Sequence, residues 1–287
     1  PRLMILGCGD IGARIIRLLR GRFRIFAVTR QIDRIAELRA AGAIPIVADL
    51  DQPNSLARLA RLASIVVHLA PPQSDGLTDK RTRSLINILP SGASLVYMST
   101  TGVYGDCAGE MVEETRALNP QNPRAKRRVD AEQALRGWAR RSGSRLSILR
   151  VPGIYGEERL PIERLKKGIP ALLEQDDVYT NHIHADDLAC IVVAALTRGA
   201  PGRVYHATDD SCLKMGEYFD AVAREFKLPM PPRLPRAELK SQVSPMLWSF
   251  MCESRRVDNQ RIKSELGVRL RYPTVIGALS HLHSKDA

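Results

Sequence analysis

The sequence predicts an α/β protein, a doubly wound parallel sheet followed by a smaller C-terminal lobe. Three observations carry that prediction. Short β-rich runs alternate with helical patterns through the first 150 residues, those runs are apolar almost throughout, and the rhythm changes after Gly156. Near-continuous apolar strands belong to parallel sheets covered on both faces.

The run at 3–6 reads as the first strand and 11–19 as the first helix. The same unit recurs with strand 25–28 and helix 32–38, then with strand 44–47 and helix 56–62. Strands at 65–69, 94–98 and 146–150 come next, separated by helices over 77–89 and 125–140. Beyond Gly156 the spacing predicts a helix over 160–173, a strand over 178–183 and a helix over 186–196, with Asp186 suited to its N-cap. Pro229, Pro231, Pro232 and Pro235 make a stiff, extended connector, and short helices run on to near His283. The expected division is 1–155 plus 180–207 for the sheet domain, and 156–179 plus 208–287 for the lobe. There is no internal repeat and no low-complexity tract.

Composition narrows the function. The chain has 287 residues and 44% apolar content, enough for a sizeable core. No apolar run approaches the roughly 18 residues of a membrane span, and a strand pattern stands at Pro1 where a signal peptide would place its apolar region. A soluble cytoplasmic protein with no membrane partner is expected. Five scattered cysteines, none at CxxC spacing, argue against a disulfide framework or a zinc knuckle. The net charge is +12, from 34 Arg and 9 Lys against 31 acids. These cations are spread over most helices with only 5% aromatic residues among them, so specific nucleic-acid binding is not expected. His182 and His184 have alternate spacing but no third ligand at useful distance, so no metal is expected.

The strongest local signal is Gly7, Cys8, Gly9, Asp10, Ile11, Gly12, directly after the first strand and opening the first helix. Gly7 permits the tight turn, Gly9 lets backbone approach a pyrophosphate, and Gly12 lets helix pack close to strand. The helix N-terminus supplies N–H groups and partial positive charge for the anion. This placement makes the sheet a Rossmann-type dinucleotide-binding fold. Cys8 inside the loop reads as a small buried filler. The second strand ends at Val28, Thr29, Arg30, with no carboxylate where NAD-specific proteins place one for the ribose hydroxyls. Arg30 instead suits a 2′-phosphate, so NADP is expected in preference to NAD.

Four further segments, with a fifth on the return to the sheet domain, resemble the extended short-chain dehydrogenase/reductases, the NAD(P)-dependent epimerase/dehydratase group. Ala48, Asp49, Leu50 resembles the segment whose Asp contacts adenine in that group. His68, Leu69, Ala70, Pro71 is similar to its fourth-strand loop along the cofactor, and Ser99, Thr100, Thr101, Gly102, Val103, Tyr104, Gly105 to its Ser/Thr-rich stretch ending in VYG. Leu149 to Gly156 resembles the segment leaving the sixth strand, and Asn181 to Asp187 its "IHVDD" element. The resemblance implies that Asp49 and Leu50 border adenine, that Leu69, Ala70, Pro71 and Val151 lie along the cofactor, and that Thr100 is the catalytic hydroxyl.

One match fails. The group's YxxxK pair, in which Tyr exchanges the proton and Lys holds the ribose, falls here on Arg124 and Arg128 when the helix is registered on Pro123 and Glu132. A guanidinium has no lone pair to accept a proton and cannot serve as general acid or base. Arg128 keeps a cation for the ribose or phosphate. This departure, with the segment 254–259 and the Leu266, Gly267 and Tyr272, Pro273 pairs, is similar to the atypical members of the group. Tyr104 is the nearest phenol and the candidate substitute proton donor.

The expected function is an NADP-binding epimerase/dehydratase-like oxidoreductase acting on a small hydroxyl or carbonyl compound, phosphorylated or nucleotide-linked. The alternative is an NADP-binding sensor or scaffold that lost chemistry with the YxxxK pair. Monomer and homo-oligomer both remain open.

Overall fold

The computed structural model describes residues 1–283. Seven parallel strands make the central sheet: β1 (Arg2–Leu6), β2 (Arg24–Thr29), β3 (Ile44–Val47), β4 (Ile65–His68), β5 (Ser94–Thr100), β6 (Arg145–Val151) and β7 (Arg203–His206). Their spatial order is β7-β6-β5-β4-β1-β2-β3. The order reverses between β1 and β4, so the carboxyl ends of these strands border the crevice where doubly wound sheets bind ligands.

The continuous apolar runs arise because both faces of each strand are covered. In β1, Leu3 and Ile5 pack with α1 (Asp10–Leu19) in one buried cluster, while Met4 and Leu6 join a second cluster on the opposite face. The first face also takes the helix Ala185–Arg198, and the second takes the long helix Pro123–Ser142. That long helix has clear boundary signals. The Asn122 side chain accepts from the Ala125 amide, Pro123 occupies the first turn, and Gly143 ends it at φ 65°. A third apolar cluster, with Tyr155, Leu165, Tyr218, Phe219 and Leu239 among its members, builds the lobe.

Several sequence expectations change. The predicted helix over 160–173 shortens to Ile162–Lys166, because Gly168 adopts φ 61° and Pro170, close behind it, cannot continue a helix. The predicted strand over 178–183 divides at Asn181 into Tyr179–Thr180 and His182–His184, which pair with different partners. The helix expected from 186 starts at Ala185. Its N-cap is His184, whose ring accepts from the Asp186 amide, so Asp186 is freed to pair with Arg14. The helix over 77–89 is confined to Lys80–Ile86, capped by Asp79. Strand β7 is an addition to the strands that the sequence predicts. Ile262 and Leu266, expected in the lobe, pack into the core of the sheet. In the proline connector, Arg233–Leu234 forms a short parallel pair with Ala171–Leu172. No helix among the described residues is long and apolar enough to cross a membrane.

Candidate functional site

Two openings lie along the carboxyl edge of the sheet. The smaller, about 250 Å³, is bordered by Gly7, Gly9, Thr29, Arg30, Asp49 and Pro71, together with Arg34 and Arg81. Gly7 sits at φ 75°, and a Cβ there would fall 2.6 Å from the Ala70 backbone. A Cβ on Gly9 would meet nothing within 4 Å, so the missing atom leaves room on the open side of the turn. On Gly12 it would strike the Cys8 sulfur of the turn at 2.7 Å and lie 3.5 Å from Ile5 Cγ2 of β1, so the missing side chain lets the helix start close against the turn and strand. No side chain caps the N-terminus of α1. A cradle that a Cβ would fill, beside uncapped helix amides, fits a dinucleotide pyrophosphate. Cys8 is buried, and desolvation pushes its thiol up to about 11, as a packing residue requires.

The other residues singled out in this region divide between cleft and core. Ala48, Leu50 and Ala70 line the cleft. The Ile11 and Leu69 side chains are packed in the core, so only their backbones are available to a ligand; the Leu69 amide already donates to Leu6 O. Asp10 receives hydrogen bonds from Arg14 at 2.8 Å and from Arg159 at 3.1 Å. Burial opposes its charge, but these two guanidiniums outweigh it and hold the carboxyl below its usual range. Asp49 keeps its turn by accepting from the Asp51 amide. The cleft contains three arginines of different status. Arg34 is bound to Glu37 and the Cys8 carbonyl, and Arg81 is forked onto Asp51. Arg30 is exposed and, among the described residues, makes no hydrogen bond or ion pair.

The larger opening, about 560 Å³, lies between β5, β6, the long helix and the lobe. Thr100 and Val151 are register partners on β5 and β6, and both line it. Thr100 Oγ1 accepts from the Gly102 amide at 3.2 Å, which leaves its O–H proton to donate. Arg128 also lines this opening, its Nη1 donating to Met98 O at 2.8 Å and to the Tyr97 hydroxyl at 3.0 Å. Arg124 stacks over Phe250 with 4.1 Å from guanidinium carbon to ring centre.

Tyr104 does not reach the opening, which corrects its candidacy as proton donor. The short 3₁₀ turn Thr101–Tyr104 rotates it inward, and it is 1% exposed. Its hydroxyl lies 2.5 Å from His206 Nε2 and accepts from Arg150 Nη1 at 2.5 Å. Burial pushes the phenol up to about 12, against the opposing pull of Arg150. Arg150 in turn forks onto Glu132, which also accepts from the Ser99 hydroxyl. Ser99, Glu132, Arg150, Tyr104 and His206 therefore form one buried polar chain that meets the lining of the larger opening at Ser99.

Sequence reasoning missed the lobe's contribution. Arg159, Arg164, Tyr179, Tyr218 and Arg255 all line the larger opening. Tyr218 stacks on His182 with ring centres 4.2 Å apart, and burial with the Asp209 carboxylate raises its phenol. Desolvation, with no carboxylate to offset it, pushes Arg164 down to about 10. These residues come from segments far apart in sequence, and no local spacing marks them.

Comparison with known proteins gives a consistent picture. Residues 3–207 match the model of the NAD dependent epimerase/dehydratase family. A functionally unknown conserved protein from Silicibacter pomeroyi superposes with a TM-score of 0.83 at 31% identity, covering 99% of this chain and 98% of its own. UDP-glucuronic acid 4-epimerase from Bacillus cereus, solved in complex with NAD, superposes with a TM-score of 0.77 at 17% identity over 99% of this chain and 96% of its own. An uncharacterized protein of Schizosaccharomyces pombe is 24% identical over 246 residues, 80% of this chain and 82% of the relative.

Proposed function

We propose, from the premise that the chain belongs to the NAD dependent epimerase/dehydratase family, that it binds NADP along the sheet edge and oxidises or reduces a small hydroxyl or carbonyl compound, phosphorylated or nucleotide-linked, in the larger cavity. The observation that carries this reading is the glycine cradle, with Gly7 pressed against Ala70 and open space over Gly9.

Gly7, Gly9 and the first amides of α1 would hold the pyrophosphate, with Asp49 and Leu50 beside adenine and Ala70 with Pro71 alongside. Arg30, which makes no hydrogen bond or ion pair among the described residues, is the group for the 2′-phosphate and the basis for preferring NADP. Arg128, at the ribose-holding position of the resemblance, retains a cation there. When bound, the nicotinamide supplies a hydride acceptor or donor. Thr100 donates its hydroxyl proton to the substrate oxygen and orients it, while Val151 walls the reacting space. No general base of the YxxxK kind is present, so the accompanying proton exchanges with solvent and turnover is slow.

A second reading, a dinucleotide-binding sensor without turnover, is favoured by one observation, the guanidinium of Arg124 where a phenol would act. Titration of the protein with NADPH and NADH tests the cofactor reading. Arg30→Ala should reduce the NADPH preference by about 10- to 100-fold, the worth of one or two charge-assisted hydrogen bonds. An unchanged ratio contradicts the NADP assignment. NADPH oxidation with a carbonyl panel that is lost in Thr100→Val supports the enzyme; cofactor binding with no oxidation for any carbonyl supports the sensor.

A further inference from the structure

Arginines that look dispersed along the sequence converge in the fold. In a parallel sheet every connecting helix ends, and every strand begins, at one edge, here the edge opposite the dinucleotide cleft. It is built from the first two residues and six helix-to-strand connections, 17–24, 38–44, 57–65, 87–94, 139–145 and 197–203. Together these segments hold thirteen of the 34 arginines, no lysine and none of the 31 acids. All thirteen are exposed, and Arg203, bound by Glu265, is the only one with an ion pair among the described residues. Arg2 and Arg24 are register partners at the starts of β1 and β2, Arg145 starts β6 and Arg203 starts β7. With strands about 4.8 Å apart, the seven-strand edge is roughly 29 Å wide, and arginines occur along most of it.

Folding alone does not call for this arrangement. A cation in the last turn of a helix gains from the helix dipole, which accounts for Arg17, Arg39 and Arg198. It does not account for Arg2, Arg22, Arg24 or Arg145, which stand in loops and at strand starts. Nor does it explain the exclusion of every acid from segments where like charges repel one another. An external polyanion would relieve that repulsion, and the chemistry of the edge narrows its class. Single-stranded bases stack on exposed aromatic rings, and a membrane-surface anchor inserts apolar and aromatic side chains. The one aromatic residue in these segments, Phe23, is packed against the core. What the edge does present is guanidinium forks, the geometry that matches phosphate oxygens, over a length of about eight phosphates of one strand of a duplex.

We propose that the amino edge of the sheet is a docking surface for the phosphate backbone of a nucleic-acid duplex, held without reading its sequence. The surface and the dinucleotide cleft lie at opposite ends of the strands, so the two ligands bind independently.

Fluorescence anisotropy of the full chain with a labelled duplex of about 20 base pairs, as DNA and as RNA, tests the proposal. Dissociation constants should lie in the micromolar range near physiological salt, and affinity should fall by about 1,000-fold or more between 50 and 200 mM salt. The duplex bound more tightly identifies which nucleic acid is the partner, and a single strand of equal length should bind more weakly. Combining Arg22→Gln, Arg58→Gln and Arg141→Gln, one from each of three connections, should reduce the salt slope by about 3 and weaken binding at 50 mM salt by about 100-fold or more. These three exposed side chains make no hydrogen bond or ion pair among the described residues, so thermal unfolding of the variant should match the parent. Lys167→Gln, Arg224→Gln and Lys240→Gln, combined in the lobe with the same change in charge, should leave the slope as it was.

The absence of duplex binding near physiological salt at about 100 μM protein overturns the proposal. Equal losses in the two triple variants also overturn it, since overall charge would then account for the binding. Displacement of the duplex by NADPH would place the nucleic acid at the carboxyl edge instead. A single strand bound as tightly as the duplex contradicts the duplex assignment. Binding to phosphatidylserine vesicles that exceeds duplex binding, and is lost in the edge variant, would reassign the face to a membrane surface.

Discussion

The Tyr104 hydroxyl lies 2.5 Å from His206 Nε2, and the other ring nitrogen, Nδ1, lies 2.8 Å from the Asp258 carbonyl oxygen. A carbonyl can only accept, so Nδ1 carries the ring proton and Nε2 accepts from the phenol. Arg150 then donates to the same phenolic oxygen. Both hydrogen-bonding capacities of Tyr104 are therefore consumed inside the protein. Tyr104→Phe should leave NADPH affinity and any NADPH oxidation unchanged while costing about 1–3 kcal/mol of stability, the penalty of stranding buried partners. Urea denaturation beside a cofactor titration checks both halves, and a loss of turnover at undiminished stability would contradict the placement.

Behind that hydroxyl, Arg150 and Glu132 are 3% and 1% exposed and joined through two contacts at 2.8 and 3.2 Å. Burial disfavours the Arg150 charge, yet the Glu132 carboxylate more than compensates and keeps it protonated. Glu132→Gln leaves a guanidinium buried without a counterion and should cost about 3–5 kcal/mol. Replacing both residues, as Glu132→Leu with Arg150→Met, should cost less than the single change, because no charge is stranded. Equal or greater loss in the double variant, read from denaturation midpoints, would contradict this account.

Much of the fold is legible in the sequence, and the reasons are physical. Six strands declare themselves because burial on both faces forces an unbroken apolar run, as Leu3 to Leu6 show. Strand β7 does not, since Arg203 begins it at an exposed end and His206 ends it in the buried polar chain, leaving little apolar signal. The glycine turn is legible because its constraint is steric and local. The lobe side of the cavity is not. Arg164, Tyr218 and Arg255 meet only through tertiary packing, and Arg164 looks in sequence like any other helical arginine. Tyr104 is misplaced by sequence reasoning for a related cause. Its motif is local, but the turn that rotates it into the interior is fixed by partners as distant as His206 and Arg150.

Stability should fall with acidification, starting above the range where carboxylates titrate. His68, His182 and His206 are buried, and desolvation is the leading cause that pushes each of them down to about 3 from 6.5. A group whose folded pKa is depressed is neutral in the native state and gains a proton only on unfolding. Its contribution is thus intact above pH 6.5 and is lost progressively as pH falls toward 3. Three such groups give a limiting slope of about 4 kcal/mol per pH unit, at ~1.4 each, from which the buried Asp209 carboxyl, raised by desolvation to about 7 and therefore favouring the folded state on acidification, removes ~1.4. Of the denaturation midpoints at pH 7.5, 6.5 and 5.5, the first two should lie close together and the third clearly lower. A flat profile over that interval would show that these rings are protonated or solvated in the native state.

The two leading glycines of the turn should respond in opposite ways to an added side chain. Gly7 adopts φ 75° and its Cβ would press on the Ala70 backbone at 2.6 Å, so Gly7→Ala should cost about 1–3 kcal/mol of stability whether or not cofactor is present. Gly9 has φ −87°, which any residue adopts, and its Cβ would enter open space. Gly9→Val should therefore stay within about 0.5 kcal/mol of the parent in stability. Yet that open space is where a pyrophosphate would approach the first amides of α1, and the valine methyls would hold it off. NADPH affinity should drop by about tenfold or more, the value of one lost charge-assisted hydrogen bond. Fluorescence titration and thermal unfolding on the same two proteins separate the effects. Undiminished NADPH binding in Gly9→Val would mean that the dinucleotide does not use this turn.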